Sequence, residues 1–107
     1  MYIRQKTGSK LNISEEVQKE KKVGNLKITN IQLKEKKGIT TLLADIENTG
    51  DIEIQNKMLT IEILDKTGKV ITTLKAPIDN VKAGEKIILN TSVTGDVSNA
   101  YDFKVKE

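Results

Sequence analysis

The strongest constraint on the fold is an alternation of aliphatic and polar side chains that begins at residue 25 and continues to the C-terminus. In the segment ITTLLADIEN, Leu42, Ala44 and Ile46 share one face, whereas Asp45 and Glu47 share the other. A period of two is typical of a β-strand with one buried face. Because turn signals recur every roughly 8 to 12 residues, residues 25–107 are predicted to form an all-β, antiparallel β-sandwich with about six or seven strands. Closure into a barrel is an alternative that the pattern does not separate from a sandwich.

The same alternation predicts the core. Leu26 and Ile28 share a face, and Ile31 and Leu33 follow after a slip of one residue, which predicts a β-bulge near Asn30. The other positions predicted to face inward are Leu42, Ala44, Ile46, Ile52, Ile54, Leu59, Ile61, Ile63, Val70, Thr72, Leu74, Ile87, Leu89, Thr91, Val93, Tyr101, Phe103 and Val105. Asp102, Lys104 and Lys106 are predicted to face water.

The segment 76–86 is predicted to be a loop that crosses the sandwich, with Ile78 and Val81 pointing into the core. Pro77 has no amide proton to donate to a neighbouring strand, so it is predicted to end a strand or to mark a sheet edge. The residues Asn48–Asp51 are typical of a turn between two strands.

Residues 1–24 differ from the rest because they contain few apolar positions and no sustained period. They are predicted to be a leader or linker, with a short helix near residues 13–22 that begins after a weak capping box of Asn12 and Glu15. No apolar segment of the signal-peptide kind is present in these residues. Two alternatives remain: a cytoplasmic protein, or a chain that begins downstream of a removed anchor.

The composition excludes several classes of chemistry. The chain has no histidine and no cysteine, so it lacks the side chains that most often serve as nucleophile, general base or transition-metal ligand near neutral pH. The aromatic residues are Tyr2, Tyr101 and Phe103, too few for a surface on which bases or sugar rings stack. Gly84 and Gly95 are isolated turn glycines, and no phosphate-binding glycine motif is present. We therefore expect neither an enzyme nor a cofactor site.

The densest acidic group is Asp45, Glu47, Asp51 and Glu53, which raises the question of a calcium site. The spacing does not match a calcium loop, because Asn56 occupies the position of the bidentate glutamate. Alternate carboxylates in strands mark the water-facing side, so no metal site is predicted. A glycosidase pair would need a cleft with sugar contacts that so small and aromatic-poor a chain does not provide.

Two other kinds of sequence pattern, a Ser-Lys catalytic pair and the glycosylation sequon, are weak evidence of function. The serines that a Ser-Lys pair would need occupy no recognisable nucleophile elbow; they are Ser9, Ser14, Ser92 and Ser98. Two sequons, at Asn12 and Asn90, are short enough to occur by chance.

The first 37 residues hold ten Lys or Arg against four Glu, whereas the remaining residues hold eight Lys against eleven Asp or Glu. A basic segment of this kind can bind nucleic acid or an anionic membrane surface. The lysines in question are Lys19, Lys21, Lys22, Lys34, Lys36 and Lys37. Because glutamates are interleaved with them and aromatics are absent, a solvated linker is the favoured interpretation, and no nucleic-acid partner is expected.

The segment 61–71, IEILDKTGKVI, reads as two strands joined by a type I turn, in which Asp65 bonds back to the backbone and Gly68 takes a positive φ. The run Ile61-x-Ile63-Leu64-Asp65 resembles the Phe-x-Leu-Tyr-Asp motif of the FxLYD family, small immunoglobulin-like domains of bacterial envelope proteins. Ala44–Asn48 with Thr49 resembles the family's hydrophobic strand ending in Asn, and Val81–Glu85 resembles its Leu-x-Pro-Gly-Glu turn.

This resemblance covers about residues 25 to 106. The chain departs from the family pattern where Ile61 and Leu64 replace aromatics and where Ala83 replaces the usual proline. The resemblance implies that residues 25–107 form an antiparallel Greek-key β-sandwich (immunoglobulin-like). It also implies an extracytoplasmic accessory module, often located behind a lipid or transmembrane anchor, and it carries over no catalytic residue.

We therefore expect a non-catalytic accessory or protein-interaction module of the bacterial cell envelope. It is expected to be a monomer with an unidentified protein partner, and to meet the membrane through an anchor upstream of Met1. The alternative is a structural subunit that assembles through an exposed edge strand, with residues 86–94 or 99–106 supplying the edge.

Overall fold

The computed structural model describes residues 2–4 and 8–107. This part of the chain contains nine strands and one short helix, and residues 1 and 5–7 of the predicted leader lie outside it. The elements are β1 Tyr2–Arg4, β2 Lys10–Asn12, α1 Glu15–Gln18, β3 Lys21–Val23, β4 Leu26–Lys36, β5 Ile39–Asn48, β6 Lys57–Leu64, β7 Val70–Ile78, β8 Lys86–Thr94 and β9 Asp102–Lys106.

The strands form two antiparallel sheets, as the alternation predicted. The six-stranded sheet has the order β1-β2-β4-β5-β8, with β3 also paired to β4, and the three-stranded sheet has the order β7-β6-β9. The hairpin β4–β5 lies in the first sheet and the hairpin β6–β7 in the second, after which β8 returns beside β5 and β9 beside β6. This is an antiparallel Greek-key sandwich with an immunoglobulin-like order of strands.

The core lies between the two sheets and is almost entirely aliphatic. Its buried residues form one cluster, which includes the predicted Leu26, Ile28, Ile31, Leu33, Leu42, Ala44, Ile46, Leu59, Ile61, Ile63, Leu74, Ile78, Val81, Leu89 and Phe103. Ile54, Ile87, Val93 and Val105 pack partly buried against the same cluster. Both sheets therefore turn their apolar faces towards one shared interior.

The predicted bulge is present at Asn30. The register of β4 against β5 shifts between Thr29 and Gln32, and Asn30 has a φ of 52°. Asn tolerates this left-handed conformation better than most residues, and its Nδ2 donates to Asp45 at 2.7 Å. Because the shift returns the side chains that follow Asn30 to the inward face of the sheet, both Ile28 and Ile31 are buried.

The prediction was wrong for Tyr101, whose side chain is 44% exposed. Strand β9 begins at Asp102, and the Tyr101 amide instead donates to the Leu64 carbonyl at 3.0 Å. The residue thus belongs to the loop before β9 and does not follow the period of that strand.

Val70 and Ile52 were also wrongly assigned to the core. Val70 is 43% exposed, and the register of β6 against β7 shifts between Ile63 and Leu64, so the alternation that buries Leu74 does not continue unbroken to Val70. Ile52 is 74% exposed because the segment 49–56 is a connection and not a strand.

Pro77 marks a sheet edge and does not end its strand. It lies within β7, opposite Met58, and β7 is one of the two outer strands of the three-stranded sheet. The loop predicted for 76–86 is therefore shorter and begins after Ile78.

The structure corrects the predicted leader at residues 1–24. Strands β2 and β3 pair with opposite ends of β4, so the predicted boundary between residues 24 and 25 falls inside one sheet. The side chain of Val17 is fully buried in the core cluster. The helix is only four residues long, and Asn12 does not cap it, because the residue at the N-cap position is Ser14.

Asn12 attaches this N-terminal segment to the loop before β9. Its side chain is 1% exposed, and its Nδ2 donates to the carbonyls of Ser98 at 2.7 Å and Ala100 at 2.8 Å. Its Oδ1 accepts from the Ser14 amide at 2.8 Å. A polar group is stable in such a position only when its hydrogen bonds are made, so Asn12 is a specific attachment point.

Asn48 has the same role at the other end of the sandwich. The buried Nδ2 donates to the carbonyls of Ile52 at 2.8 Å and Val81 at 3.0 Å, and Oδ1 accepts from the Gly50 amide at 2.9 Å. It therefore holds the connection 49–56 against the connection 79–85.

Candidate functional site

Three connections meet at one end of the sandwich, which we call the turn end. They are the β4–β5 turn at residues 37–38, the β6–β7 turn at residues 65–69 and the β8–β9 loop at residues 95–101. The Gly95 amide donates to the Gly38 carbonyl at 2.6 Å, and the Thr40 hydroxyl donates to the Gly95 carbonyl at 2.8 Å. These bonds join the β4–β5 turn to the β8–β9 loop, and the Tyr101 amide, which donates to the Leu64 carbonyl at 3.0 Å, joins that loop to the end of β6 beside the β6–β7 turn.

The β6–β7 turn has the geometry that its sequence predicted. The Gly68 amide donates to the Asp65 carbonyl at 3.0 Å, and Gly68 has a φ of 86°. The Asp65 Oδ1 accepts from the Thr67 hydroxyl at 2.7 Å, the Thr67 amide at 2.9 Å and the Lys69 amide at 3.0 Å. The Thr67 hydroxyl bond, followed by the Lys69 amide bond, lowers the pKa of Asp65 below its ordinary value of 3.8.

Asp96 in the β8–β9 loop is held in a similar way. Its Oδ2 accepts from Lys10 Nζ at 2.6 Å, and its Oδ1 accepts from the Ser98 hydroxyl at 2.6 Å and the Ser98 amide at 3.0 Å. The bond from Lys10, followed by that from Ser98, lowers the pKa of Asp96 to about 2. Both carboxylates are therefore ionised at neutral pH and already hydrogen-bonded, Asp65 within its own turn and Asp96 both within its own loop and to Lys10 of β2.

Between these two turns lies a groove of about 680 Å³. Ile71, Val97 and Tyr101 provide apolar walls, and Asp65, Lys66 and Asp96 lie among them. A groove of this size fits a side chain or a short segment of a partner. Its carboxylates do not suit acid catalysis, because a general acid or base works best with a pKa near the operating pH.

The Asp96 geometry predicts a pH dependence of stability. A carboxylate whose pKa is lower in the folded state stabilises the fold above its unfolded value of 3.8, and that contribution is lost as the pH falls towards about 2. The Asp96→Asn variant should therefore be less stable than the parent at pH 6, and the difference should shrink as the pH falls to 2. Urea unfolding of both proteins at several pH values measures this difference in stability. The exposed Asp79, which makes no hydrogen bond or ion pair with the described residues, provides an Asp79→Asn control that should change stability by less than about 0.5 kcal/mol at pH 6. A stability difference for Asp96→Asn that does not shrink as the pH falls would contradict this account.

The acidic group considered for calcium does not form a cluster. Asp45 and Glu47 lie on the outward face of β5, and Asp51 and Glu53 are exposed on the following connection. Over residues 2–4 and 8–107, no group of three or more potential metal ligands occurs.

Three of the four serines have hydroxyls that bond to groups other than lysine amines: Ser14 donates to the Tyr101 carbonyl, Ser98 donates to Asp96, and Ser92 bonds to the Thr41 hydroxyl. Ser9 is fully buried. At the first sequon, the side chain of Asn12 is enclosed by its own hydrogen bonds, so this amide is not accessible to modification in the folded chain.

The lysines considered for nucleic acid do not share one surface. Lys21 pairs with Asp102 at 2.7 Å and lies 4.9 Å from the centre of the Phe103 ring, whereas Lys19 pairs with Glu16 at 3.4 Å. The lysines of 34–37 lie at the far end of β4, where they line a depression with Ile39 and Thr41.

The predicted edge strands are edges of their sheets. In the described part of the chain, β8 is the last strand of the six-stranded sheet and β9 is an outer strand of the three-stranded sheet. On β8, Ile88 is 70% exposed, and the Thr91 hydroxyl donates to the Lys75 carbonyl of β7 at 3.1 Å.

Sequence reasoning missed the groove, Lys10 and the role of Asp96. One signal was available, because an Asp or Asn followed two residues later by Ser or Thr favours a side-chain turn. This pattern occurs four times. At Asn12-Ile13-Ser14, Asp65-Lys66-Thr67 and Asp96-Val97-Ser98 the acid or amide accepts from the amide two residues on, whereas Asn90-Thr91-Ser92 lies within strand β8 and forms no such turn.

Comparison with protein-family models, with curated proteins and with solved structures finds no match to this chain. Among the described residues, no helix has the length and apolar character needed to cross a bilayer.

Proposed function

We propose that the chain is a non-catalytic accessory or protein-interaction module of the bacterial cell envelope. The observation that carries this proposal is the lining of the groove at the turn end, which combines apolar walls with two carboxylates that are already hydrogen-bonded. Asp65 and Asp96 are both ionised, Asp65 bonds within its own turn and Asp96 bonds to its own loop and to Lys10, and the chain has no histidine or cysteine to replace them. Apolar walls with fixed charges suit recognition of a partner better than proton transfer.

The envelope location is supported by the resemblance to the FxLYD family. The three segments that carry the resemblance also have structural roles in the sandwich. Asp65 organises the β6–β7 turn through its Oδ1, and Asn48 is bonded to the third segment, since its amide donates to the Glu85 carbonyl at 3.0 Å and its carbonyl accepts from the Gly84 amide at 2.9 Å. In this proposal an anchor upstream of Met1 holds the module near the membrane.

Protease treatment of intact cells tests the location. Cells that make the protein from its native gene, carrying a C-terminal tag, are treated with a protease that does not cross the membrane. We expect the tag to be lost while a cytoplasmic marker protein survives. Full protection of the tag, together with its recovery in the cytosolic fraction, would remove the proposal.

The second candidate is a structural subunit that pairs through β8. The specific observation is that this nine-residue edge strand contains one charged residue, Lys86, at its start, and exposes Ile88. Natural edge strands usually carry charges that prevent pairing with another chain.

Sedimentation velocity over a range of concentrations separates the two candidates. An accessory module should stay monomeric at all of them. A dimer that grows with concentration, disappears in Ile88→Lys and persists in Met58→Lys would favour the structural subunit. Met58 is a matched control because it is 50% exposed on the other sheet, on the central strand β6.

A further inference from the structure

The turn end carries an excess of positive charge that is not neutralised within the fold. Residues 34–39, 65–71 and 95–101, together with Lys10, contain six lysines and three carboxylates: Lys10, Lys34, Lys36, Lys37, Lys66 and Lys69 against Glu35, Asp65 and Asp96. Lys10 pairs with Asp96, whereas the other five lysines make no ion pair with the described residues. Glu35 is 8% exposed and accepts from the Gly38 amide at 2.9 Å, so its charge is largely withdrawn from the surface.

Apolar side chains are exposed among these lysines. Ile39 is 48% exposed and lies in the same depression as Lys34, Lys36 and Lys37. In the neighbouring groove, Ile71 and Tyr101 are 48% and 44% exposed beside Lys66. This combination of lysines with exposed aliphatic and aromatic side chains recurs on both sheets at the turn end.

The two connections at the opposite end of the sandwich have no such excess of lysine. Residues 49–56 and 79–85 carry four carboxylates and one lysine, Asp51, Glu53, Asp79 and Glu85 against Lys82, and the adjoining strand ends add Lys57 and Lys86. An excess of unpaired lysines next to exposed apolar side chains is therefore a feature of the turn end and not of these connections.

We propose that the turn end docks directly on the surface of an anionic lipid bilayer. Lysines near a negatively charged leaflet are attracted to it, and exposed apolar side chains between them enter the boundary between headgroups and acyl chains. A soluble polyanion would satisfy the lysines but would leave Ile39 and Ile71 in water, and single-stranded nucleic acid would need more stacking aromatics than this end provides. The inference rests on the proposed envelope location and names the membrane itself as a partner, in addition to the anchor.

Co-sedimentation of the whole chain with vesicles tests the docking. We expect binding to phosphatidylcholine vesicles that contain phosphatidylglycerol, no binding to pure phosphatidylcholine, and weakening with added salt. The double variant Lys36→Glu with Lys37→Glu should reduce binding by at least about tenfold. The control is Lys75→Glu with Lys82→Glu, which changes the net charge equally at exposed sites away from the turn end and should change binding less than about twofold. Circular dichroism confirms that each variant is folded.

The apolar contribution has its own variant. Ile39→Ser keeps every charge and should weaken binding to the anionic vesicles, because the side chain no longer enters the bilayer. Equal loss in both lysine double variants, full binding by Ile39→Ser, or equally tight binding to soluble RNA would overturn the proposal.

The outcome is independent of the location experiment. Exposure on intact cells without vesicle binding would leave the envelope module standing and remove only the docking surface. Vesicle binding by a chain that is protected inside the cell would remove the proposed envelope location and leave the docking surface standing.

Discussion

The Phe103→Ala variant should lose about 3–5 kcal/mol of unfolding free energy, whereas Tyr101→Ala should lose less than about 1 kcal/mol. Phe103 is 2% exposed between the sheets, opposite Ile63, and its removal leaves a cavity that the rigid strands on both sides cannot fill. Urea unfolding followed by far-ultraviolet circular dichroism measures both variants.

Tyr101 is the matched control because it precedes Phe103 by two residues and has a similar ring. Its backbone bonds to Leu64 and Ser14 survive truncation of the side chain, and the ring itself is 44% exposed. Strict alternation would place both rings in the core and predict similar losses. Equal destabilisation by the two variants would therefore contradict the structure.

The Asn12→Ala variant should lose about 2–4 kcal/mol, because three buried partners are left without a hydrogen bond. These are the carbonyls of Ser98 and Ala100 and the amide of Ser14, which all bond to the Asn12 side chain. The variant tests whether the N-terminal segment belongs to the fold. Thermal and urea unfolding should show one lower transition and not the separate release of a tail.

Asn90→Ala is the control for this variant. Asn90 heads the other sequon, lies exposed on β8, and its side chain makes no hydrogen bond with the described residues. Its truncation should change stability by less than about 0.5 kcal/mol. An Asn12→Ala chain as stable as Asn90→Ala would mean that residues 8–23 are only loosely attached.

The fold class could be predicted because the alternation from Leu26 to Phe103 is long and regular. One face of each strand must leave water, and two sheets are the arrangement that buries both faces. The bulge at Asn30 was predictable for the same reason, since a slip in the alternation has to be absorbed by the backbone.

The alternation predicted the wrong side for Tyr101, because this residue lies next to a strand and not within it. Tyr101 continues the alternation of β9, yet its amide is used by Leu64 and the strand begins one residue later. Val70 was misplaced by a register shift in the β6–β7 hairpin that leaves no mark in the hydrophobic pattern.

The N-terminal segment was missed because its attachment is polar. A single buried valine, Val17, carries most of its apolar contact, and Asn12 supplies the specificity. Neither residue creates a periodic signal, and strands of three residues such as β2 and β3 are too short to show one.

The candidate site was harder to predict than the fold. Its groove joins Asp65 and Tyr101, which are distant in sequence and meet only because β9 returns beside β6. The hydrogen bonds of Asp65 could be predicted from its neighbours in the sequence. The distribution of lysines along the sequence, however, was misleading. The lysines at 19–22 and 34–37 look like one basic segment in the sequence, yet they lie at different ends of β4.

The central claim is that two antiparallel sheets and the N-terminal segment share one aliphatic core. Nuclear Overhauser effects between assigned methyl groups test it most directly. We predict cross-peaks that connect methyl groups of the six-stranded sheet, such as those of Ile28 and Ile46, with those of Leu59, Ile61 and Ile63, and further cross-peaks from Val17 to the same network. Val17 methyl signals at random-coil positions, or methyl groups of the two sheets that show contacts only within their own sheet, would contradict it.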